Sequence, residues 1–442
     1  MGNKVALHNL GCKVNAYEIE AMQQLLEEAG YEIVPFEPGA DIYVINTCTV
    51  TNIADRKSRQ MLHKAKKMNP EAIVVATGCY VQTGGEKLEK DEAIDLVLGN
   101  NQKINIVEAL AEYAEDKPGH GSHVIKINQT KEYEELSIDH TAEHVRAYIK
   151  VQDGCNQFCT YCIIPYARGR VRSRNIESVL KEVRALAEKG YKEVVLTGIH
   201  LSSYGVDFPE EKKETLLSLI RAVHEIEGIR RIRLGSLEPG IVTREFAEGI
   251  AALPKVCPHF HLSLQSGCDE TLERMNRRYR SGEYRECCEL LREVYGNPAL
   301  TTDVIVGFPQ ESEEEFRKSY DFVDSIRFYE THIFKYSRRQ GTKAAAMDGQ
   351  LTEAEKSFRS EKMIELHHRH AGDYEKSMLG KNLEVLIEEE YTKDGRTWYL
   401  GHSREYIKTA VPKSEAYGVN DIVIVKAEGF LEEHIMTGEA VE

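Results

Sequence analysis

The stretch VQDGCNQFCTYCIIPYARGR, residues 151–170, decides the fold of the central part of this chain. It follows the apolar segment AYIKV (147–151), a predicted β-strand, and it places three cysteines in the loop after that strand. Further strand segments alternate with amphipathic helices down to about residue 371: EVVLTG, RIRLGSL, HFHLSLQ, TTDVIVGF and YETHIFKY. About six such βα units predict a full or partial (β/α) barrel, whose active site lies at the C-terminal ends of its strands.

Two further domains flank this barrel, which we assign to residues 144–371. Residues 1–116 alternate apolar strands with amphipathic helices, which predicts a doubly wound parallel sheet. A polar segment without periodicity, 117–143, is the predicted linker between them. Residues 374–441 contain short strands separated by turn residues, which predict a small β-barrel. The chain is therefore predicted to be an α/β protein of three domains.

Composition limits the class of protein. The 442 residues exceed what one hydrophobic core holds, and 41% hydrophobic with 29% charged residues is typical of a globular protein. No apolar run approaches the ~20 residues of a membrane helix, and the N-terminus lacks the apolar region of a signal peptide, so we expect a cytoplasmic protein without membrane contact. Disulfides are rare in that compartment, so clustered cysteines among the ten in the chain point to metal binding or catalysis.

Charge is unevenly distributed along the chain. The net charge of −15 argues against broad affinity for nucleic acids, which depends on many contacts to phosphate. Basic residues nevertheless cluster in a predicted helix at 56–67, at 277–280 and in the alternating series Arg168, Arg170, Arg172 and Arg174. Each cluster is either a solvated surface or a local contact to phosphate, and the sequence leaves both open.

The loop after the first barrel strand carries Cys155, Cys159 and Cys162, here called the loop trio. Three thiolates bind three irons of a cubane cluster and leave the fourth iron open to a substrate, as four-cysteine ligation does not. A zinc site is the alternative, but it normally needs a fourth Cys or His, and none follows within the loop. The spacing therefore favours an iron–sulfur cluster.

A second set, here called the N-terminal trio, consists of Cys12, Cys48 and Cys79. Each follows a predicted strand of the first domain, beside Gly or Thr. Strand ends of a parallel sheet share one edge, which is where ligands bind in open α/β folds. We therefore expect the three thiols to meet at a second cluster; three small buried hydrophobic side chains are the alternative.

Together the motifs resemble the radical S-adenosylmethionine (SAM) methylthiotransferases over essentially the whole chain. The matching segments are GCKVN, NTCTV, TGCY, DGCNQFCTYCIIPYARGR, LTGIHLSSYG, SLEP, LSLQSGCDETLERMNRR and TDVIVGFPQESEEEF. One departure is Gln310, where the family has Gly. The resemblance implies two 4Fe-4S clusters, one on each trio, with SAM chelated by the open iron on the loop trio.

The resemblance also implies binding residues. Contacts to SAM are expected from Tyr161, Thr197, Gly198, Glu238, Ser263 and Gln265. The C-terminal barrel resembles the TRAM module, which binds RNA. Contacts to RNA are expected from the arginine series 168–174 and from Trp398, Tyr399, Arg404, Tyr406 and Lys408.

The GCKVN segment resembles the branch of the family that acts on threonylcarbamoyladenosine at position 37 of tRNA. The expected reaction transfers a methylthio group to carbon 2 of that base and consumes two SAM. The expected partners are the tRNA anticodon loop, an electron donor such as flavodoxin or ferredoxin, and a sulfur donor. The alternatives are the same reaction on isopentenyladenosine tRNA or on a ribosomal-protein aspartate, another radical SAM enzyme that uses its second cluster for electron transfer, and a non-catalytic RNA-binding protein that senses redox state.

Overall fold

The computed structural model describes residues 3–85, 88, 90–116, 121–141, 145–212 and 214–441. The N-terminal domain is a parallel sheet with the strand order β2-β1-β3-β4-β5-β6. Its strands are β1 (Lys4–Asn9), β2 (Glu32–Ile33), β3 (Ile42–Thr47), β4 (Ile73–Gly78), β5 (Leu96–Leu98) and β6 (Gly121–His123). Its helices are α1 (Lys13–Glu28), α2 (Asn52–Met68), α3 (Cys79–Gly84) and α4 (Ile106–Asp116). Separate apolar cores cover the two faces of the sheet, which confirms the predicted doubly wound fold.

The segment predicted as a linker is partly structured. Strand β6 pairs in parallel with β5 and extends the sheet, although its sequence, GSH, has no apolar pattern. Farther along, Leu136 and Ile138 are buried in the core of the next domain. The prediction of a linker is therefore wrong for these parts; residues 117–120 and 142–144 lie outside the described residues.

The central domain is a partial (β/α) barrel, as predicted. Its strands form two sheets, β10-β9-β7-β8 and β11-β12-β13, connected by isolated bridges such as Leu237 to Leu262. The strands are β7 (Arg146–Asp153), β8 (Arg172–Ser173), β9 (Glu193–Gly198), β10 (Arg231–Leu234), β11 (His259–His261), β12 (Ala299–Val306) and β13 (Glu330–Lys335). The helices are α5 (Ile164–Arg168), α6 (Ile176–Glu188), α7 (Leu216–His224), α8 (Arg244–Ala251), α9 (Asp269–Arg274), α10 (Ser281–Tyr295), α11 (Glu313–Ile326) and α12 (Glu353–Lys376).

Helix α1 joins the first two domains. Its Met22 and Leu26 pack into the core of the N-terminal sheet, whereas Tyr17 and Ala21 belong to the core of the barrel. The Tyr17 hydroxyl donates to the Leu136 carbonyl at 2.6 Å. The helix that starts directly after the first cysteine of the N-terminal trio is thus fixed against the barrel.

The C-terminal domain is a closed barrel with the order β14-β15-β16-β18-β17. Its strands are β14 (Asn382–Lys393), β15 (Arg396–Ser403), β16 (Lys408–Pro412), β17 (Ile422–Glu432) and β18 (Ile435–Ala440). It docks on the N-terminal ends of the central strands, where Arg146 pairs with Glu388 at 2.7 Å and Arg231 with Glu384 at 2.8 Å. Among the described helices, none combines the length and the apolar character of a membrane span.

Candidate functional site

The N-terminal trio lies at one edge of the first sheet. Cys48 and Cys79 follow the neighbouring strands β3 and β4, and Cys12 follows β1 on the other side of β3. Gly11, with φ +117°, passes so close to Cys48 that an added Cβ would lie 3.2 Å from its Sγ. The parallel topology therefore brings together three thiols that are far apart in sequence.

The loop trio follows the C-terminal end of β7. Gly154, with φ +72°, lets the loop turn so tightly that an added Cβ would lie 1.8 Å from the Arg170 carbonyl oxygen. The Cys155 amide donates to the Gly169 carbonyl, and the Gln157 amide points to the Cys155 Sγ at 3.5 Å. Amide donors of this kind stabilise the sulfur ligands of iron–sulfur clusters.

Three thiols of the two trios, Cys48, Cys155 and Cys162, are hard to ionise without a metal. Burial raises the pKa of Cys48 and of Cys155 to about 11 and that of Cys162 to about 12, and the neighbouring thiols of each trio add to the effect. A bound metal ion reverses this preference because it deprotonates a coordinating thiol. Clustered thiols in these surroundings suit a cationic metal centre.

An arginine donates to one sulfur of each trio. Arg168 Nε lies 3.1 Å from Cys79 Sγ, and Arg277 Nη1 lies 3.2 Å from Cys159 Sγ. Both guanidinium groups are almost completely removed from solvent. A buried cation beside thiolates offsets the negative charge of a cluster, which is the electrostatic requirement of such a site.

Three of the four arginines expected to bind RNA are buried instead. Arg168 chelates Glu18 of α1 and donates to Asn15 at 2.6 Å, while Arg172 lies 3.5 Å from Asp153. Arg174 pairs with Glu182 of α6. The expectation is therefore wrong for Arg168, Arg172 and Arg174, because acidic residues distant in sequence hold them inside the protein. Arg170 is exposed and stacks on Phe158.

The residues expected on the C-terminal barrel are also mostly occupied. Trp398 and Tyr399 are buried, and Arg404 donates to carbonyls of the central domain, among them that of Val256 at 2.9 Å. Tyr406 stacks on His259 of β11, with 5.0 Å between ring centroids. The predicted RNA contacts of Trp398 and Tyr399 are wrong because these side chains are buried. Those of Arg404 and Tyr406, which are half-buried, stay predictions. Lys408 is partly exposed and lies 3.5 Å from Glu389.

Residues expected to contact SAM lie around the loop trio. Glu238 binds Arg277 at 2.9 Å and the His200 ring at 3.0 Å, and it accepts from the side-chain amide of Gln157 at 2.9 Å. Burial alone would raise the pKa of Glu238, but His200 and Arg277 lower it below its usual value. This carboxylate is therefore anionic and fixed next to the cysteine loop.

The other expected SAM contacts lie at the end of β9 and after β11. Thr197 and Gly198 end β9, and Gly198 packs against the Gln152 side chain. Ser263 is half-buried, while Gln265 has φ +69° and lines a cavity together with Tyr161.

That cavity, of about 230 Å³, lies between the two trios. One wall is Val50 and Thr51, which follow Cys48, and the opposite wall is Tyr161, which stands between two cysteines of the loop trio. Asp303, Ile305, Phe334, Lys335, Tyr336, Ser337 and Arg339 complete the lining, with Gln265. The cavity is thus lined by close sequence neighbours of cysteines from both trios.

The sequence did not predict Arg339 as a residue of the site. It donates to the Thr49 hydroxyl at 2.6 Å and pairs with Asp55 at 2.6 Å, and so ties the loop after β3 to the central domain. Arg277, the other unexpected contact to the site, lies in the basic cluster at 277–280 that the sequence had left open. Its proximity to Cys159 depends on a turn far from the cysteine loop in sequence.

Comparisons with known proteins agree with this arrangement. Two family models match: the radical SAM superfamily over residues 149–323, and the uncharacterized protein family UPF0004 over residues 4–99. A Bacillus subtilis (strain 168) protein named threonylcarbamoyladenosine tRNA methylthiotransferase MtaB is 40% identical over 424 residues, 96% of this chain and 93% of that protein. An Aquifex aeolicus protein of the same name is 44% identical over 389 residues, 88% of this chain and 93% of that protein.

A relative with a different name is also similar. The tRNA-2-methylthio-N(6)-dimethylallyladenosine synthase of Finegoldia magna is 34% identical over 439 residues, 98% of this chain and 93% of that protein. Among solved structures, the radical S-adenosylmethionine methyltransferase TsrM from Kitasatospora setae superposes with a TM-score of 0.57 at 18% identity, covering 76% of this chain and 75% of that one. This likeness supports the fold alone.

Proposed function

The chain belongs to the tRNA methylthiotransferases of the radical SAM superfamily, and we propose that it adds a methylthio group to carbon 2 of threonylcarbamoyladenosine at position 37 of tRNA. The observation that carries this proposal is the cavity between the two trios, because the reaction needs one base within reach of both centres. The relatives that match most of this chain and bear that substrate in their name support the choice of base.

We propose that each trio holds one 4Fe-4S cluster, and that SAM binds at the loop trio. The fit is chemical: each site offers three thiols, leaves one position free and has an arginine that donates to a sulfur. When bound, these groups supply the radical that removes the hydrogen from carbon 2 and the sulfur that replaces it. Acid–base chemistry is not expected to do this, because that hydrogen is not acidic.

The protein's own residues bind, orient and shield. Glu238, held by His200 and Arg277, would accept a hydrogen bond from the amine or ribose of SAM. Tyr161 and Gln265 form the cavity wall on that side, and Phe334 presents a flat apolar surface to a base. Arg339 closes the opposite side by holding the loop that follows Cys48. These contacts shape the wall of a site that would hold reactive intermediates.

The tRNA anticodon loop is proposed to approach along α2. This helix begins at the cavity wall, and Lys57, Arg59, Lys64 and Lys67 on it are exposed. Basic side chains beside a site that receives an unstacked base bind the flanking phosphates. We further propose a cytoplasmic enzyme supplied by an electron donor such as flavodoxin or ferredoxin and by a sulfur donor.

The test uses anaerobically reconstituted protein, SAM, a reductant and two tRNAs, one with threonylcarbamoyladenosine and one with isopentenyladenosine at position 37. Nucleosides from each tRNA are analysed by mass spectrometry. The proposal expects methylthio product from the first tRNA, and little from the second. Product from the isopentenyl tRNA alone would support the activity in the name of the Finegoldia magna relative instead.

A further inference from the structure

A polar cluster lies on the inner face of the central barrel, at the floor of the cavity. It consists of His261 on β11, Asp303 on β12 and His332 on β13. Asp303 and His332 are paired in the strand register, and one ligand atom from each of the three side chains lies within 4.8 Å of the others. The two imidazole rings stack with 5.7 Å between centroids.

His261 has one ring nitrogen without a hydrogen bond. Its Nδ1 lies 3.0 Å from the Thr301 hydroxyl, which fixes the ring. Its Nε2 is buried and, within the described residues, makes no hydrogen bond, although Asp303 Oδ2 is 3.3 Å away. A buried polar atom without a partner is costly, so a polar group from outside the chain would stabilise this position.

Lys13 projects toward the same region from the N-terminal domain. It is the first residue of α1, and its side chain is accessible. Within the described residues its ammonium forms no ion pair, and the charges of Arg233, Arg146 and Glu330 act on it electrostatically. Glu330 is on β13, on the same face as His332. An unpaired ammonium attracts an anion.

The cluster adjoins the cavity. Asp303 belongs to both, and Ile305 and Phe334, which line the cavity, lie two residues beyond Asp303 and His332 on the same face of the paired strands. A substituent on a base bound in the cavity can therefore extend along the barrel axis to the cluster. The cavity wall next to the cluster is apolar at Phe334 and Ile305, whereas the cluster itself is polar.

We infer that Lys13, His261, Asp303 and His332 form a subsite for the threonylcarbamoyl substituent of the adenine. This inference rests on the proposed function and names the residues that select its substrate. The substituent carries a carboxylate for Lys13, ureido N–H groups that donate to Asp303, and a hydroxyl for the imidazoles. An isopentenyl group has none of these, so binding it would leave the same side chains unpaired, which discriminates strongly against it.

The experiment measures the contribution of the substituent directly. Dissociation constants are determined for two anticodon stem-loops that differ only in position 37, one with threonylcarbamoyladenosine and one with plain adenosine. Their ratio is compared in the wild type, in Lys13→Met and in His332→Leu, all reconstituted with clusters. Lys189→Met is the matched control, because Lys189 ends outside the site in an exposed pair with Asp139.

We expect the wild type and Lys189→Met to bind the modified stem-loop more tightly, and each subsite variant to reduce that preference about tenfold or more. Iron content checks that Lys13→Met, next to Cys12, keeps its clusters. His332→Leu is far from either trio in sequence and gives an independent answer.

Two results would overturn the inference. One is that both variants keep the wild-type ratio of dissociation constants for the two stem-loops. The other is that the protein holds a stoichiometric metal ion, beyond the cluster iron, which His332→Leu removes, because His–Asp–His sets also bind transition metals. If the wild type forms product from threonylcarbamoyladenosine tRNA but the ratios are unchanged, the inference alone fails. If the wild type modifies only isopentenyl tRNA, the proposed function fails first.

Discussion

Arg168 connects the N-terminal trio to the central barrel, and Arg168→Met is the perturbation that tests this connection most clearly. Its side chain is completely buried, chelates Glu18 of α1 and donates to Cys79 Sγ at 3.1 Å. Methionine keeps the length and apolar character of the side chain but removes every donor. Among the described residues, Glu18 would then keep Lys103 and Lys150 as ion-pair partners, at 3.2 and 2.8 Å.

The magnitude follows from the burial of the pair. A buried charge that loses its sole partner costs about 3–5 kcal/mol. Glu18 keeps two lysines, so we expect a smaller cost of about 2 kcal/mol, from the lost charge-assisted hydrogen bonds. We expect the urea midpoint of the unfolding step that releases the N-terminal domain to fall by about 1 M. The assay is urea unfolding of reconstituted protein, followed by cluster absorbance and circular dichroism, with Arg244→Met as control.

Arg244 also pairs with a glutamate, Glu293 at 2.8 Å, but this pair is on the surface. Its removal should leave the midpoint unchanged within error. Equal midpoints for Arg168→Met and Arg244→Met would refute the argument that the Arg168 network fixes the two domains together.

Further predictions concern the trios, the C-terminal barrel and acid stability. Alanine at all three positions of the loop trio should remove about half of the iron and all SAM cleavage. Alanine at all three positions of the N-terminal trio should spare SAM cleavage and abolish the methylthio product. Iron analysis and chromatography of deoxyadenosine and of tRNA nucleosides check both predictions. Deleting residues 382–441 should destabilise the central domain, since Arg231 and Arg146 lose Glu384 and Glu388, and an unchanged thermal midpoint would contradict this. Burial alone would raise the pKa of Glu193, but surrounding arginines lower it to about 2. The stabilising effect of this carboxylate is therefore complete above about pH 4.5 and is lost as pH falls toward 2. Glu193→Gln should show a shallower loss of urea midpoint across that range.

Much of the fold could be predicted because its strands are apolar segments separated by turn residues. The exception is β6, where GSH has no pattern and pairs with β5 only through its backbone. Helix α12 also passes the predicted boundary at residue 371 and ends at Lys376, because its last turns pack between two domains through Tyr374 and His370.

The N-terminal trio could be placed from sequence because strand ends of a parallel sheet meet at one edge. The arginine series could not be placed correctly. Alternating arginines are typical of a solvated surface, and nothing local shows that Glu18, some 150 residues earlier, turns Arg168 inward. Long-range pairing of this kind is decided by the packing of domains, not by spacing.

The cluster of Lys13, His261, Asp303 and His332 was also beyond sequence reasoning. Its members come from four elements, and each taken alone is an ordinary residue of a strand or helix end. Strand register reveals that Asp303 and His332 are neighbours, and the packing of α1 against the barrel, which positions Lys13, is a long-range contact.

The most direct test of the function is nucleoside analysis of total tRNA from cells of the source organism that lack this protein. The account predicts that 2-methylthio-threonylcarbamoyladenosine disappears, that threonylcarbamoyladenosine accumulates in its place, and that the chain restores the first nucleoside when it is supplied again. Unchanged levels of that nucleoside, with loss of the methylthio derivative of isopentenyladenosine, would contradict the account.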